Sequence, residues 1–287
     1  MILILNWIKN HTSVYGGDHM FDTHCHLRFP DYEPLGGAAK VLDRATEAGV
    51  RGAITVATTV EDGRLSAQLA ESDDRLWHTA GVHPLYADDR GALEDLKAIA
   101  EGPKCVAFGE LGLDQHYAKP DQDIQITSLE GQLELISRWR RDGLAKPIVI
   151  HCRKATADLI PRLADSGLPP DQFVFHCFTG TPDEARDVLD FGAWISFTGV
   201  VTFQNAPEVA RAASLVPNDR IMAETDAPFM TPAPHRNIKP NEPKFVVHVC
   251  EALAKIRGCS PQAMEEVLDA NAERFFGITL PDSPRAF

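Results

Sequence analysis

The feature that most restricts the fold of this chain is an alternation, repeated eight times, of a short apolar run with a longer stretch of helical periodicity. The strand-like runs fall at 21–27 (FDTHCHL), 52–59 (GAITVATT), 76–83 (LWHTAGVH), 105–111 (CVAFGEL), 147–152 (PIVIHC), 172–179 (QFVFHCFT), 193–198 (AWISFT) and 221–226 (IMAETD). Between them lie helical patterns such as LEGQLELISRWRRDG, where Leu129, Leu133 and Ile136 recur at i, i+4 and i+7 and Gly143 supplies a stop. Two further helical stretches lie between Glu242 and Phe276. Eight alternating units predict an α/β fold of the single (β/α)8 TIM-barrel type rather than an open doubly wound sheet. No GxGxxG comes after an early strand, which removes the fingerprint of the main competitor.

Composition narrows the classes further. At 44% hydrophobic and 24% charged, the 287 residues are those of a globular protein with material for a large core. A formal charge of −13 argues against a broad basic surface that wraps nucleic acid, although a substrate held locally by cations is compatible with it. The six cysteines include no CxxC pair, and all are expected to be thiols in a reducing compartment. MILIL is too short for a signal h-region, and no run of 18 apolar residues occurs, so a soluble cytoplasmic protein is expected. Residues 1–19 lack the patterning of the remaining chain and are expected to be a leader outside the folded unit, which spans 20–280 as one domain.

In such a barrel, chemistry gathers at the C-terminal ends of the strands. His24 and His26 end the first predicted strand, Glu110 the fourth, His151 the fifth, His176 the sixth and Asp226 the eighth. One histidine on an apolar strand is more often a packed or solvated residue than a ligand, but six candidates at strand ends and on compatible faces outweigh that reading. Four imidazoles and two carboxylates suit divalent cations, and two ions bridged by one carboxylate would use the whole set. Mg²⁺, Mn²⁺ and Zn²⁺ are each compatible with these donors. A hydroxide held between two such ions is a nucleophile available near neutral pH.

Other residues at this end invite supporting roles. His83, in GVHP, ends the third strand and is a candidate substrate contact or a packing residue. Glu224 shares parity with Asp226 one layer deeper, where support for a ligand is the expected role, and Asp22 lies one layer below His24 in the same way. Asp114 either orients a ligand histidine or caps a turn. Strand parity turns Cys25, Cys152 and Cys177 outward, toward the helices. His11, His19, His78 and His248 lack such context and are expected to be structural or solvated.

Taken in order, FDTHCHL, AGVHP, GELGLD, IVIHCR, HCFTG, ISFTG, ETDAPFM, NEP and NAERFFG resemble the motifs of the TatD-related deoxyribonucleases, a branch of the metal-dependent amidohydrolase superfamily, over Phe21 to Gly277. The resemblance implies that His24 and His26 bind one metal together with Asp226, and that Glu110 bridges to a second metal held also by His151 and His176. It departs after ETDAPFM, where PHRNIKPNEP replaces a basic RGK-like run. Arg236 in that loop and Arg153 beside His151 are candidate anion contacts.

The resemblance implies a two-metal phosphodiesterase trimming single-stranded DNA ends, a 3′–5′ deoxyribonuclease using a metal-bridging hydroxide, with Asp226 as ligand and proton acceptor and no obligate protein partner or membrane. The same cation pair could polarise a carbonyl, so a deacylase or amidohydrolase acting on an ester or amide such as aminoacyl-tRNA is the nearest rival. A noncatalytic metal-binding barrel that engages other proteins is the third.

Overall fold

The computed structural model describes residues 20–281, so the expected leader, with His11 and His19, lies outside the described residues. Eight parallel strands form one sheet in the order of the sequence, β1 to β8. They are β1 (Met20–Cys25), β2 (Val50–Thr55), β3 (Leu76–Ala80), β4 (Cys105–Asp114), β5 (Ile148–Arg153), β6 (Phe173–Phe175), β7 (Trp194–Phe197) and β8 (Ile221–Ala223). The helices between them are α1 (Gly37–Glu47), α2 (Val60–Glu71), α3 (Leu96–Ala100), α4 (Gln122–Arg141), α5 (Thr156–Asp165), α6 (Pro182–Phe191) and α7 (Pro207–Leu215), with α8 (Val246–Arg257) and α9 (Pro261–Phe276) after the last strand. This is the expected (β/α)8 barrel. No helix among the described residues is long and apolar enough to cross a membrane.

Local chemistry sets the element ends. On α6, Thr181 accepts from the Glu184 backbone N–H while the Glu184 side chain returns a bond to the Thr181 N–H, and Gly192 at φ 102° closes the helix. Ser260, Pro261 and Gly277 bracket α9 in the same spirit. Leu129, Leu133 and Ile136 all face inward on α4, as their spacing predicts.

Parity sorts the core into layers. Ile148 and Ile150 of β5 and Phe173 and Phe175 of β6 point outward, where they pack with helix residues such as Leu159, Leu163 and Val188. Val149 and Val174 point inward and join Ile54, Val106 and Met222 from other strands and Val56 just after β2, with Phe275 and Phe276 of α9 completing the cluster. Each large side chain so buried contributes about 1.5–3 kcal/mol.

The seam between the first and last strands is not a continued ladder. β8 stops at Ala223, and closure comes from a parallel bridge between Cys25 and Ala227. The Asp226 N–H donates to His24 O at 2.9 Å and the His26 N–H to Ala227 O at 2.7 Å. Asp22, fully buried, accepts from the Thr225 N–H at 2.9 Å and the Thr225 hydroxyl at 2.5 Å. Burial pushes the Asp22 carboxyl up to about 8, against the pull of those bonds.

Candidate metal centre

β4 is the strand that departs most from regular geometry. Its register with β5 shifts between Phe108 and Leu111, which sets Glu110 at a bulge flanked by Gly109 at φ 135° and Gly112 at φ 153°. A Cβ on Gly112 would stand 1.9 Å from the His151 carbonyl oxygen, so only glycine lets the two strands approach there. The bulge aims the Glu110 carboxylate into the mouth of the barrel, where its side chain is almost wholly buried. The strand runs on to Asp114, three residues beyond the predicted end.

The four predicted histidines converge on this carboxylate. Glu110 Oε2 lies 3.2 Å from His24 Nε2 and 3.8 Å from His26 Nε2. Glu110 Oε1 lies 2.7 Å from His151 Nδ1 and 2.6 Å from His176 Nε2. Asp226 Oδ1 completes the first side, 3.5 Å from His26 Nε2 and 3.8 Å from His24 Nε2. The donor atoms of His24, His26 and Asp226 all fall within 4.8 Å of one another, as do those of His24, Glu110 and His176.

The far nitrogens of three rings decide what the near ones can do. His26 Nδ1 is 3.0 Å from Val56 O, a carbonyl that can only accept, so this nitrogen carries the proton and Nε2 carries a lone pair. His176 Nδ1 faces Glu224 Oε1 at 3.2 Å, and His151 Nε2 faces Asp114 Oδ2 at 3.0 Å, with the same result. In the neutral rings, lone pairs on His151 and His176 therefore point at a carboxylate oxygen, and that on His26 points at Asp226. Such acceptor-to-acceptor approaches are repulsive unless a proton or a metal ion stands between them. Glu110 Oε2 has no hydrogen-bond partner although it is buried, which a cation would also remedy.

Charge in the site obeys the same logic. Burial works against the charged form of His176, but Glu110 and then Glu224 hold it well above the usual imidazole range. Burial likewise opposes charge on His151 and His26, and their carboxylate neighbours raise both. Burial would raise Glu110, yet the surrounding imidazoles, His176 foremost, hold it well below the usual carboxylate range. The cluster is built to contain positive charge.

His83 differs from its neighbours. Its Nδ1 accepts from the Leu85 N–H at 3.0 Å, so the neutral ring carries its proton on Nε2, 3.2 Å from His151 Nδ1 and 3.4 Å from Glu110 Oε1. Burial holds it down to about 3, which keeps it neutral. Although His83, Glu110 and His151 lie within ligand spacing, this tautomer presents a donor to the site rather than a lone pair.

Of the three residues expected to support the donors, Asp114 and Glu224 touch a donor ring and Asp22 does not. Asp114 does both things considered for it, since Oδ2 holds His151 while Oδ1 accepts from the His116 and Tyr117 N–H groups. Glu224 holds His176 and also accepts from the Cys177 N–H at 2.6 Å and the Ser196 hydroxyl at 2.6 Å. Asp22 touches no donor ring and fixes the seam instead. Asn241 of the NEP motif, a residue that no pattern marked for a role, donates to Thr225 O and Phe229 O and so pins the loop after Asp226.

One expectation is corrected. Cys177 does not face the helices, because β6 ends at Phe175 and Cys177 sits at φ 44°, so parity no longer applies. Its thiol borders the mouth and lies 3.5 Å from Thr198 Oγ1. Cys25 does face α1, beside Val41 and Leu42, while Cys152 packs against the outer core and also edges the mouth.

Above the donors opens a cavity of about 320 Å³, walled by His116, Arg153, Lys154, Cys177, Asp226 and Met230 among others. Arg153 reaches it with its guanidinium 5.1 Å from the Tyr117 ring centre. Arg236 is exposed, stacks over Phe203 at 3.4 Å, and is not part of this wall.

Known proteins share this arrangement of sequence and fold. The profile of the family described as TatD related DNase matches residues 21–277. A protein of Escherichia coli K12 named uncharacterized metal-dependent hydrolase YcfH is 36% identical over 260 residues, covering 90% of this chain and 96% of its own. The 3′-5′ ssDNA/RNA exonuclease TatD of Erwinia billingiae is 35% identical over 248 residues, covering 83% and 92%. Among solved structures, YJJV, a TatD homolog from Escherichia coli K12, superposes with a TM-score of 0.83 at 28% identity, covering 91% of this chain and 98% of its own.

Proposed function

Because the chain belongs to the TatD-related DNase family of metal-dependent hydrolases, we propose that it is a two-metal phosphodiesterase that removes nucleotides from the 3′ ends of single-stranded DNA. The observation that carries this reading is the set of imidazole nitrogens converging on the two oxygens of Glu110. His24, His26 and Asp226 would hold one divalent ion, His151 and His176 the other, and Glu110 would bridge them. Mg²⁺, Mn²⁺ and Zn²⁺ all suit this donor set. When bound, such ions make water nucleophilic near neutral pH and neutralise charge on a phosphoryl group.

The chain's own groups supply the rest. Asp226, at the edge of the cavity, accepts the proton of the attacking water. His83 Nε2–H donates to a phosphoryl oxygen, a task that suits a neutral ring whose other nitrogen is occupied by a backbone donor. Asp114 and Glu224 keep His151 and His176 in the required tautomers. The name of the Erwinia relative supports single-stranded nucleic acid and the 3′–5′ direction.

The test is metal-stripped protein with a 5′-labelled single-stranded oligonucleotide, restored separately with Mg²⁺, Mn²⁺ or Zn²⁺, beside Glu110→Ala. Metal-dependent shortening from the 3′ end that vanishes in the variant is the expected result. Loaded protein that leaves the oligonucleotide intact but hydrolyses an ester or amide panel would replace this reading with the deacylase alternative.

A further inference from the structure

The most exposed large aromatic side chains among the described residues are Tyr117 at 49%, Phe229 at 47% and Tyr86 at 38%. Tyr117 and Phe229 stand on loops at the mouth after β4 and β8, and Tyr86 ends a short 3-10 helix after β3. The other Phe, Tyr and Trp rings among the described residues are buried or half-buried, so rings left in water around the donor cluster need a reason.

Their placement supplies one. On one side Phe29 stacks on the His26 ring at 5.1 Å and 22°, and Phe229 sets its edge against both Phe29 at 5.8 Å and His26 at 6.5 Å. The exposed Phe229 ring is thereby fixed relative to the donors rather than free to swing. On the other side Tyr117 carries Arg153 over its ring, with Nη1 3.4 Å from the phenolic oxygen, and Lys154 adjoins them on the cavity wall. Neither Arg153 nor Lys154 has a carboxylate within ion-pair distance among the described residues, although the chain carries a charge of −13. An aromatic face with unpaired cations beside it matches the chemistry of an unpaired base and its phosphate.

We propose that Phe229, backed by Phe29, and Tyr117, backed by Arg153, are two base-stacking platforms that seat unpaired nucleotides on either side of the scissile phosphate. The proposal rests on the phosphodiesterase reading and adds a source of selectivity to it. Two platforms on either side of one phosphate need neighbouring bases that are unstacked from each other, which a paired duplex does not supply, and they tolerate any base because all have a face. With so acidic a chain, long-range attraction is weak, and stacking adds grip at the site itself.

The test is binding, measured by fluorescence anisotropy of a 5′-labelled single-stranded oligonucleotide with Ca²⁺ as the probe cation, so that no turnover is required. Wild type, Phe229→Ala, Phe229→Trp and Tyr117→Ala are each titrated with the ordinary strand and with strands carrying an abasic analogue at one of the last three positions. Wild type is expected to lose about tenfold affinity for the abasic strand that empties a platform, and Phe229→Ala to lose about the same for the ordinary strand with no further abasic penalty. Phe229→Trp restores the penalty. Equal abasic penalties in wild type and both alanine variants would overturn the proposal, since a ring with only a structural role weakens every strand alike. Ring-dependent binding without cleavage under Mg²⁺, Mn²⁺ or Zn²⁺ would leave the platforms standing and sink the phosphodiesterase reading, and cleavage with ring-independent binding would do the reverse.

Discussion

His151 Nε2 and Asp114 Oδ2 lie 3.0 Å apart, and this contact turns the other nitrogen of the ring, as a lone pair, toward Glu110. The carboxylate thus selects the tautomer that a cation needs. Asp114→Ala is expected to weaken binding of the cation between Glu110, His151 and His176 by about 10–100-fold. Competition against a chromogenic chelator measures this, and an unchanged affinity would show that packing alone orients His151.

The same pair makes a pH signature in the metal-free protein. Burial tends to raise Asp114, but the bonds from His151 and the Tyr117 and His116 N–H groups win and hold it at about 2, below its ordinary 3.8. A depressed carboxyl contributes stability that is complete above 3.8 and is lost as pH falls through about 2. Urea unfolding with a chelator present should find Asp114→Asn less stable than wild type by about 1–2 kcal/mol near neutrality, with the gap closing below pH 3. A gap that stays constant with pH would assign the loss to packing.

Glu224 satisfies three donors at once, the His176 ring, the Cys177 backbone and the Ser196 hydroxyl. Its removal leaves all three buried without a partner. Glu224→Ala should cost about 3 kcal/mol in denaturant unfolding, and Ser196→Ala, which removes one donor and leaves the carboxylate its other two, about 1 kcal/mol. Equal costs for the two would mean that the hydroxyl contact dominates.

Gly112 stands where a methyl group would meet the His151 carbonyl at 1.9 Å, at a φ of 153°. Gly112→Ala must push β4 and β5 apart at the bulge that presents Glu110. A drop in stability of about 3 kcal/mol or more is expected, together with lost cation binding. Thermal unfolding with and without Mn²⁺ measures both, and near-native values would show that the bulge relaxes freely.

The barrel was legible because its period is simple. A strand buried on one face and packed against helices on the other announces itself in runs such as PIVIHC, and there parity correctly assigned Val149 inward and Ile148 and Ile150 outward. The six candidate donors stand out for a related reason, since they are polar residues at the ends of apolar runs. Parity failed where a strand ended early. β6 covers only Phe173–Phe175, and Cys177, two residues on, turns to the mouth at positive φ.

Partnerships between distant segments were less accessible. Nothing local in WISF marks Ser196 as the support of a glutamate 28 residues later. The tautomer of His83 depends on a single backbone N–H in the turn after it, which composition and spacing do not reveal. Asn241 was visible only as part of a motif, because its partners Thr225 and Phe229 are set by the path of the loop.

The seam that joins Asp22 to Thr225 spans 203 positions of the chain. His24 and His26 leave the ribosome long before Asp226, and they cannot meet it until seven further strands have been made and set in order. An unfinished chain therefore holds a loose array of imidazoles with no closed pocket around them, and contacts this remote form slowly. The arrangement ties competence to completion, so that a fragment ending short of the last strand lacks the wall and the final donor together.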